Sequence, residues 1–379
     1  MHVLEIAAWC GVVWWGLACL NVLLNLVLIP RLARESPAGA PPSLSVVIPA
    51  RDEEAAVEDA VTSHCIQDYP GLQVVVVDDR STDGTGAILE RLSRRFPQLE
   101  VVRGSEPPEG WLGKAHALAL GLGRATGELV LLADADVRFE PGVHRQAAGE
   151  MTRRNLDMLQ LLARLEGRGL EPLVLSLFHG LALFAAPAYL VNVPAFRHAA
   201  FGASTGMMVR REAFEAAGGM AGVRMKIPND LATGRMMKAY RGRYFVVTAF
   251  GQIAVRMYAG FRECIEGFTK NYFHFFDRNL ALSSMLQTTD LAVEAVPALL
   301  LPLAAMLPAF APIRLPILIE VATAAACNAA ACLWSRQPLW IVLLFPVRPV
   351  LWSWILCRSA WRYYRQGVVW RGRRYEKVG

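Results

Sequence analysis

Two apolar blocks bracket a chain whose middle alternates between short β-branched runs and amphipathic stretches. From Val3 to Ile29 nearly every position is apolar, long enough to cross a bilayer, and Arg31 and Arg34 follow at once. No Lys or Arg precedes the run, so a retained anchor fits it better than a cleaved leader. Its positive flank places the C-terminal end in the cytoplasm. A second block runs from Leu291 to Leu356, divided by Arg314 and Arg336 into candidate spans near 291–312, 315–334 and 338–357. Pro297, Pro302, Pro308 and Pro312 predict a kink in the first of these. The tail beyond, with Arg358, Arg362, Arg365, Arg371, Arg373, Arg374 and Lys377, belongs in the cytoplasm as well. Three full spans would carry it to the other side, whereas two spans plus a re-entrant or interfacial piece would keep it inside. A shorter apolar stretch, Leu173 to Val191, is broken by Pro187 and reads as an interfacial or core helix.

Between the blocks, Ser43 to Pro49 and Gln73 to Asp78 are continuous β-branched runs of the kind found in strands buried on both faces. Segments 53–67 and 85–96 read as helices, and Glu128 to Ala133 supplies a third strand. This β-α-β-α-β series predicts an α/β domain with an open, mostly parallel sheet and helices on both faces. Ligands in such sheets bind at the carboxyl ends of the strands, and acidic residues gather there: Arg51-Asp52-Glu53-Glu54, Asp78-Asp79, and Asp134-Ala135-Asp136.

Composition separates the chain from two classes. At 54% hydrophobic and 19% charged over 379 residues, with mean hydropathy +0.31, it is neither a disordered polymer nor an ordinary soluble enzyme. The net charge of +6 comes from Lys and Arg beside the apolar segments, which suits an anionic inner-leaflet surface rather than nucleic acid. Cys10, Cys19, Cys327, Cys332 and Cys357 lie in the apolar blocks without C-x-x-C spacing, so neither a zinc site nor a disulfide framework is expected.

Each acidic cluster has a plainer alternative. Asp79 and Ser81 could cap the following helix, Asp83-Gly84 could be only a turn, and Asp134-Ala135-Asp136 could be a solvated loop. Carboxylates gathered at adjacent strand ends repel one another, however, unless a cation or ligand offsets the repulsion. A hard divalent ion shared with diphosphate oxygens would do so. The glycine fingerprints of dinucleotide and P-loop sites are absent. Gly110-Trp111-Leu112-Gly113-Lys114 offers instead one ammonium at a helix start, suited to a diphosphate or simply to a surface loop.

These residues together resemble the family 2 glycosyltransferases of the GT-A fold. The resemblance rests on Val-Val-Ile-Pro-Ala-Arg-Asp-Glu-Glu (46–54), Val-Asp-Asp-Arg-Ser-Thr-Asp-Gly-Thr (77–85), Gly-Trp-Leu-Gly-Lys (110–114), Asp-Ala-Asp (134–136), the stretch from Gly202 to Gly219, and Asn229-Asp230. Arg256-Met257-Tyr258 and the closing Trp370 to Tyr375 look most like the hopanoid-associated, carotenoid and ceramide glycosyltransferases. The expected organisation is an anchor at 1–30, a GT-A domain at 43–260, an interfacial amphipathic region at 261–287, membrane helices at 288–357 and a basic tail at 358–379.

The resemblance implies that Ala50, Arg51 and Glu53 line the nucleoside pocket and that Asp79 accepts from the base. Lys114 and Asp134 would lie along the sugar nucleotide, and Asp136 would bind Mg²⁺ or Mn²⁺. Asp230 would be the general base, with Asn229 standing where the family often has a second acid. The Gln-x-x-Arg-Trp pattern of processive members is broken here, since Met257 follows Arg256 and Ile253 takes the place of the glutamine. The implied reaction is a single, inverting, metal-dependent transfer from a nucleotide sugar to a lipid in the bilayer, with Arg256 kept on the diphosphate. It would take place on the cytoplasmic face of a multi-pass plasma or inner membrane protein. Phe261 to Phe276 reads either as an interfacial helix that meets the lipid or as core against the spans. A polyprenyl-phosphate sugar transferase, and a silent sugar-nucleotide sensor or scaffold, are the competing readings.

Overall fold

The computed structural model describes residues 2–35, 39–180, 187–366, 368–370 and 373–375. In chain order it runs α1 (His2–Leu28), β1 (Leu44–Ala50), α2 (Val57–Cys65), β2 (Leu72–Asp78), α3 (Thr85–Arg95), β3 (Leu99–Arg103), α4 (Gly113–Leu122), β4 (Leu129–Leu132) and β5 (Val137–Phe139). There follow α5 (Val143–Arg153), β6 (Met158–Leu162), β7 (Arg164–Leu165), α6 (Glu171–Gly180), β8 (Met207–Arg210), α7 (Arg211–Ala216), α8 (Asn229–Tyr240), β9 (Tyr244–Thr248) and β10 (Ile253–Val255). The rest is α9 (Phe261–Phe275), α10 (Leu280–Asp290), α11 (Val296–Met306), α12 (Arg314–Ser335), α13 (Arg348–Gln366) and a short pair, β11 (Val368–Trp370) and β12 (Arg373–Tyr375). The described residues form two compact units. Ile29–Arg164 with Leu190–Arg256 is an α/β unit; Met1–Leu28, Leu165–Tyr189 and Met257–Val378 make a helical unit. The described residues of 165–189 thus cluster with the helices, where the sequence suggests one continuous domain from 43 to 260.

The α/β unit is built on a seven-stranded sheet in the order β3-β2-β1-β4-β8-β6-β9. Strands β1 to β4 run parallel, as does β6 with β9, but β8 lies antiparallel between β4 and β6. Val46, Val47 and Ile48 of β1 and Val74 to Val77 of β2 are wholly buried, as the continuous apolar runs require. Pro49 fits a central strand because pairing with β4 ends at Val47–Leu132, so its missing N–H breaks no bond on that side. The register sets Ala50 beside Asp78 at the strand ends. A smaller antiparallel pairing, β10 with β5, follows the Asp134-Ala135-Asp136 turn. The segment after α1 is tied to β9 through Leu32 N–H to Thr248 O and Thr248 N–H to Pro30 O, both 2.8 Å.

Among the described residues of the helical unit, three segments are long and apolar enough to cross a membrane: His2–Leu28, Leu280–Met306 and Pro308–Ser335. Trp15, Ala18 and Val22 of α1 pack on Ala324, Cys327 and Ala331 of α12, and Trp15 Nε1 donates to Val293 O at 2.9 Å across a π-helical turn, Leu291–Ala295. The first C-terminal apolar helix therefore begins at Leu280, well before residue 291. The third candidate span, 338–357, is not a continuous helix. Leu339–Leu344 forms a 3₁₀ turn that runs back along α12, with Ile341 against Cys332 and Phe345 against Cys327. At the turn Arg348 pairs with Glu294, Nη2 lying 2.8 and 3.0 Å from its two carboxylate oxygens. Helix α13 then returns along α9, where Ser359 Oγ accepts from Phe273 N–H at 3.1 Å.

The aromatic face of α9 is core: Phe268, Tyr272 and Phe273 are buried with Trp352, Ile355 and Leu356 of α13. The exposed aromatic stripe belongs to α13 itself, in Trp354, Trp361 and Tyr364, spaced as one helical face. Within the basic tail, Arg371 and Lys377 lie outside the described residues, as do 181–186 of the apolar stretch after α6.

Candidate active site

The loops after β1 and β2 are zipped together by their own side chains. Asp52 Oδ1 accepts from Thr82 N–H at 2.7 Å, Glu54 Oε2 from Gly84 N–H at 2.7 Å, and Thr85 Oγ1 from Glu53 N–H at 2.8 Å. Asp83 accepts from Thr85 N–H at 3.0 Å, so for Asp83 the turn reading holds. Asp79 behaves differently. It is 5% exposed and makes no helix cap; its Oδ1 receives Arg80 Nη2 at 2.7 Å and Nε at 2.9 Å, and Arg51 Nη1 stands 3.6 Å from Oδ2. Its N–H donates to Ala50 O at 2.8 Å, locking the two strand ends. Ala50, Arg51 and Asp79 therefore form one wall, which Arg80 and Glu106 extend.

A second group gathers about the end of β4. Lys114, in the first turn of α4, places Nζ 2.6 Å from Asp134 Oδ1 and 3.1 Å from Ser204 Oγ. Burial alone would lower this lysine's pKa, but the carboxylates of Asp134 and Asp230 outweigh it and hold the ammonium above its ordinary value. Asp136 is the opposite case. Burial first, then the charges of Asp134 and Glu53, push its carboxyl up to about 7 despite Lys114 nearby, and its buried Oδ1 has no hydrogen-bond partner. An acid so placed is stabilised in its charged form by a cation. Among the described residues no three His, Cys, Asp or Glu side chains could hold a metal unaided. One bare carboxylate oxygen beside a second acid instead suits an ion whose remaining ligands come from a bound diphosphate. β10 pairs Val255 with Val137, so one further step along this register puts Arg256 opposite Asp136.

Asp230 sits in the first turn of α8, behind a Pro228 that makes no side-chain cap. Its Oδ2 accepts from Ser204 N–H at 3.2 Å and its Oδ1 from Leu231 N–H at 2.9 Å. The approach of the 201–206 loop to this helix depends on two glycines. A Cβ on Gly202 would collide with the Asp230 carbonyl, and one on Gly234 with that of Phe201. The sites predicted at Glu53, Lys114, Asp134, Asp136 and Asp230 are thus brought together, and Asp79 with Arg51 and Ala50 forms the adjoining wall. Sequence reasoning assigned no role to Ser204, Arg80 or Gln160. The small-residue run Gly202-Ala203-Ser204-Thr205-Gly206 was the available signal, since such a run permits a backbone to approach closely.

A family model described as glycosyl transferase family 21 matches residues 10–378. Among curated proteins, a beta-monoglucosyldiacylglycerol synthase of Synechocystis sp. is 35% identical over 150 residues, 35% of this chain and 31% of that protein. A 4,4'-diaponeurosporenoate glycosyltransferase of Staphylococcus aureus is 27% identical over 243 residues, 60% of each. The chain thus spans about a third to three-fifths of the length of these two relatives. A solved mannosyltransferase from Pyrobaculum calidifontis, in complex with GDP-Man and Mn²⁺, superposes with a TM-score of 0.53 at 19% identity, covering 96% of this chain and 99% of that one. This is a likeness of fold.

Proposed function

The chain belongs to glycosyl transferase family 21, and on that premise we propose that it moves one sugar from a nucleotide-sugar donor to a hydroxyl of a membrane lipid, with inversion. The observation that carries the reading is the grouping of Asp136, with its bare buried oxygen, beside the Lys114–Asp134 pair and within one loop of Asp230. Asp79, held by Arg51 and Arg80, would accept from the nucleoside base. A hard divalent ion, Mg²⁺ or Mn²⁺, held by Asp136 and completed by the donor's phosphate oxygens, would supply charge neutralisation at the leaving diphosphate.

The chain's own groups account for the remaining steps. Asp230 removes the proton of the acceptor hydroxyl as its oxygen bonds to the anomeric carbon, while the bond to the diphosphate oxygen breaks on the opposite face. Lys114 and Arg256 take up the charge that develops on the departing nucleoside diphosphate. The matched relatives are named for diacylglycerol and diaponeurosporenoate, which supports a lipid acceptor here. Each methylene withdrawn from the bilayer would cost about 0.8 kcal/mol, so the head group is met at the membrane surface.

Topology fits this placement. If α1 ends in the cytoplasm, the α/β unit follows on that side, and the apolar helices Leu280–Met306 and Pro308–Ser335 cross out and back. With 339–344 and α13 as a re-entrant piece, the basic tail would stay inside, with Trp354, Trp361 and Tyr364 at the interface beside Arg358 and Arg362. The test is to purify the full chain, identify the glycolipid formed from each sugar nucleotide with bacterial lipid extract, and compare Asp230→Asn. Loss of transfer in that variant supports a hydroxyl acceptor deprotonated by Asp230. Full activity would point to a phosphate acceptor that needs no base, and binding without turnover to a sensor or scaffold.

A further inference from the structure

The loop 201–206 is more tightly fixed than a connection between elements requires. Gln160, wholly buried on β6, clasps it through Nε2 to Ala203 O (3.0 Å) and Gly206 O (3.2 Å), and through Oε1 from Ala203 N–H (3.0 Å). Thr205 Oγ1 donates to Leu161 O at 3.3 Å. At the other end the Tyr244 hydroxyl accepts from Phe201 N–H at 3.1 Å and donates to Phe201 O. The glycine contacts with α8 close the third side. Out of this clasp one residue, Ser204, 4% exposed, reaches three different elements. Its carbonyl accepts from Asp134 N–H at 2.9 Å, its N–H donates to Asp230 Oδ2 at 3.2 Å, and its hydroxyl accepts from Lys114 Nζ at 3.1 Å while lying 3.5 Å from the same Asp230 oxygen.

We infer that Ser204 is a positioning residue for glycosyl transfer, its hydroxyl holding the Lys114 ammonium and the Asp230 carboxylate at a fixed separation. The inference rests on the reading of Asp230 as the base and Lys114 as a diphosphate contact. Without the hydroxyl, the ammonium keeps Asp134 on one side but loses its tether toward the base. Nothing then stops it from swinging onto Asp230 directly, which would occupy the carboxylate that must receive the acceptor's proton. The donor still binds through the Asp79 wall and the Asp136 side, so the loss falls on turnover.

Ser204→Ala should lower kcat about ten- to a hundredfold, as misplacement of reacting groups does. The KM for the sugar nucleotide should stay within about threefold. Ser204→Thr, which keeps the hydroxyl, should recover most of the rate, and all three proteins should share one melting temperature. Asp230→Asn, measured alongside, separates the two layers of the argument. If it is inactive while Ser204→Ala turns over normally, the positioning role is overturned and the base stands. An active Asp230→Asn overturns the base and the inference with it. Equal losses in Ser204→Ala and Ser204→Thr with lowered melting temperatures would mark the hydroxyl as structural only and overturn the inference as well.

Discussion

Mild acid should destabilise the α/β unit through two buried histidines. His64 on α2 and His144 on α5 are buried, 0% and 1% exposed, with His64 Nδ1 3.0 Å from His144 Nε2 and both rings against Phe139. The outer nitrogens, His64 Nε2 and His144 Nδ1, have no hydrogen-bond partner. Burial pushes His64 down to about 3, and burial together with the His64 ring holds His144 well below its ordinary value. An unfolded imidazole titrates near 6.5. Below that pH the unfolded chain takes up protons that the folded pair refuses, so stability is complete above about 6.5 and falls steadily as pH drops. Each group forfeits about 1.4 kcal/mol per pH unit, hence about 5 kcal/mol for the pair between pH 6.5 and 4.5, of which the raised carboxyl of Asp136, protonated in the folded state first, returns about half. The net loss of about 2–3 kcal/mol is a large part of the stability of many domains. Because Phe139 ends the strand that begins one residue after Asp136, unfolding here would also dismantle the proposed metal site. The assay is urea unfolding of the full chain in detergent, followed by nucleotide binding and by protease sensitivity of the α/β unit, from pH 7.5 to 4.5. The double variant His64→Leu/His144→Met, which removes both polar rings together, should abolish the fall in stability above pH 5. An unchanged midpoint in the wild type across this range, or the same slope in the double variant, would refute the reasoning.

Further outcomes follow from single contacts. Lys114→Met should reduce transfer about 10²- to 10³-fold, the usual cost of losing one electrostatic stabiliser, as measured by initial rates at saturating donor. Gly202→Ala forces its Cβ onto the Asp230 carbonyl and should destabilise the α/β unit by about 1–3 kcal/mol in denaturant titrations, with activity lost in parallel. In the helical unit Glu294→Leu leaves the buried Arg348 uncompensated and should cost about 3–5 kcal/mol, whereas Glu294→Leu/Arg348→Leu should recover much of it. Thermal aggregation in one detergent, compared across the three proteins, reads that difference.

Much of the α/β unit could be read from its strands. Runs such as Val74 to Val77 announce burial on both faces, and the acids that follow them mark the strand ends. The direction of β8 could not be read this way, because Met207–Arg210 is four residues long and an apolar pattern carries no polarity. The apolar blocks misled in two places. Ser283, Gln287 and Thr289 make 280–290 look too polar for a span, yet their groups are paired: Thr289 Oγ1 donates to Met285 O at 2.9 Å within the helix, while Gln287 accepts from Tyr272 OH and donates to Pro349 O on neighbouring elements. Conversely, Leu339 to Leu356 reads as a span from its apolar residues, whereas Ile341 against Cys332, Phe345 against Cys327 and the Arg348–Glu294 pair, 54 residues apart, show the chain running back along α12. The link from Ser204 to Asp230 escaped for the same reason: backbone contacts between distant segments leave little trace in local composition.

The central claim is that the acids at the strand ends bind a nucleotide sugar through a divalent ion and that a lipid accepts the sugar. Its most direct test is release of nucleoside diphosphate by the purified full chain, with Mg²⁺ or Mn²⁺, a panel of sugar nucleotides and bacterial lipid extract, beside Asp136→Ala. Release is expected with one donor, requiring both metal and lipid, abolished by chelation and absent in Asp136→Ala. Release that persists in Asp136→Ala or after chelation, or that proceeds equally without lipid, would contradict it.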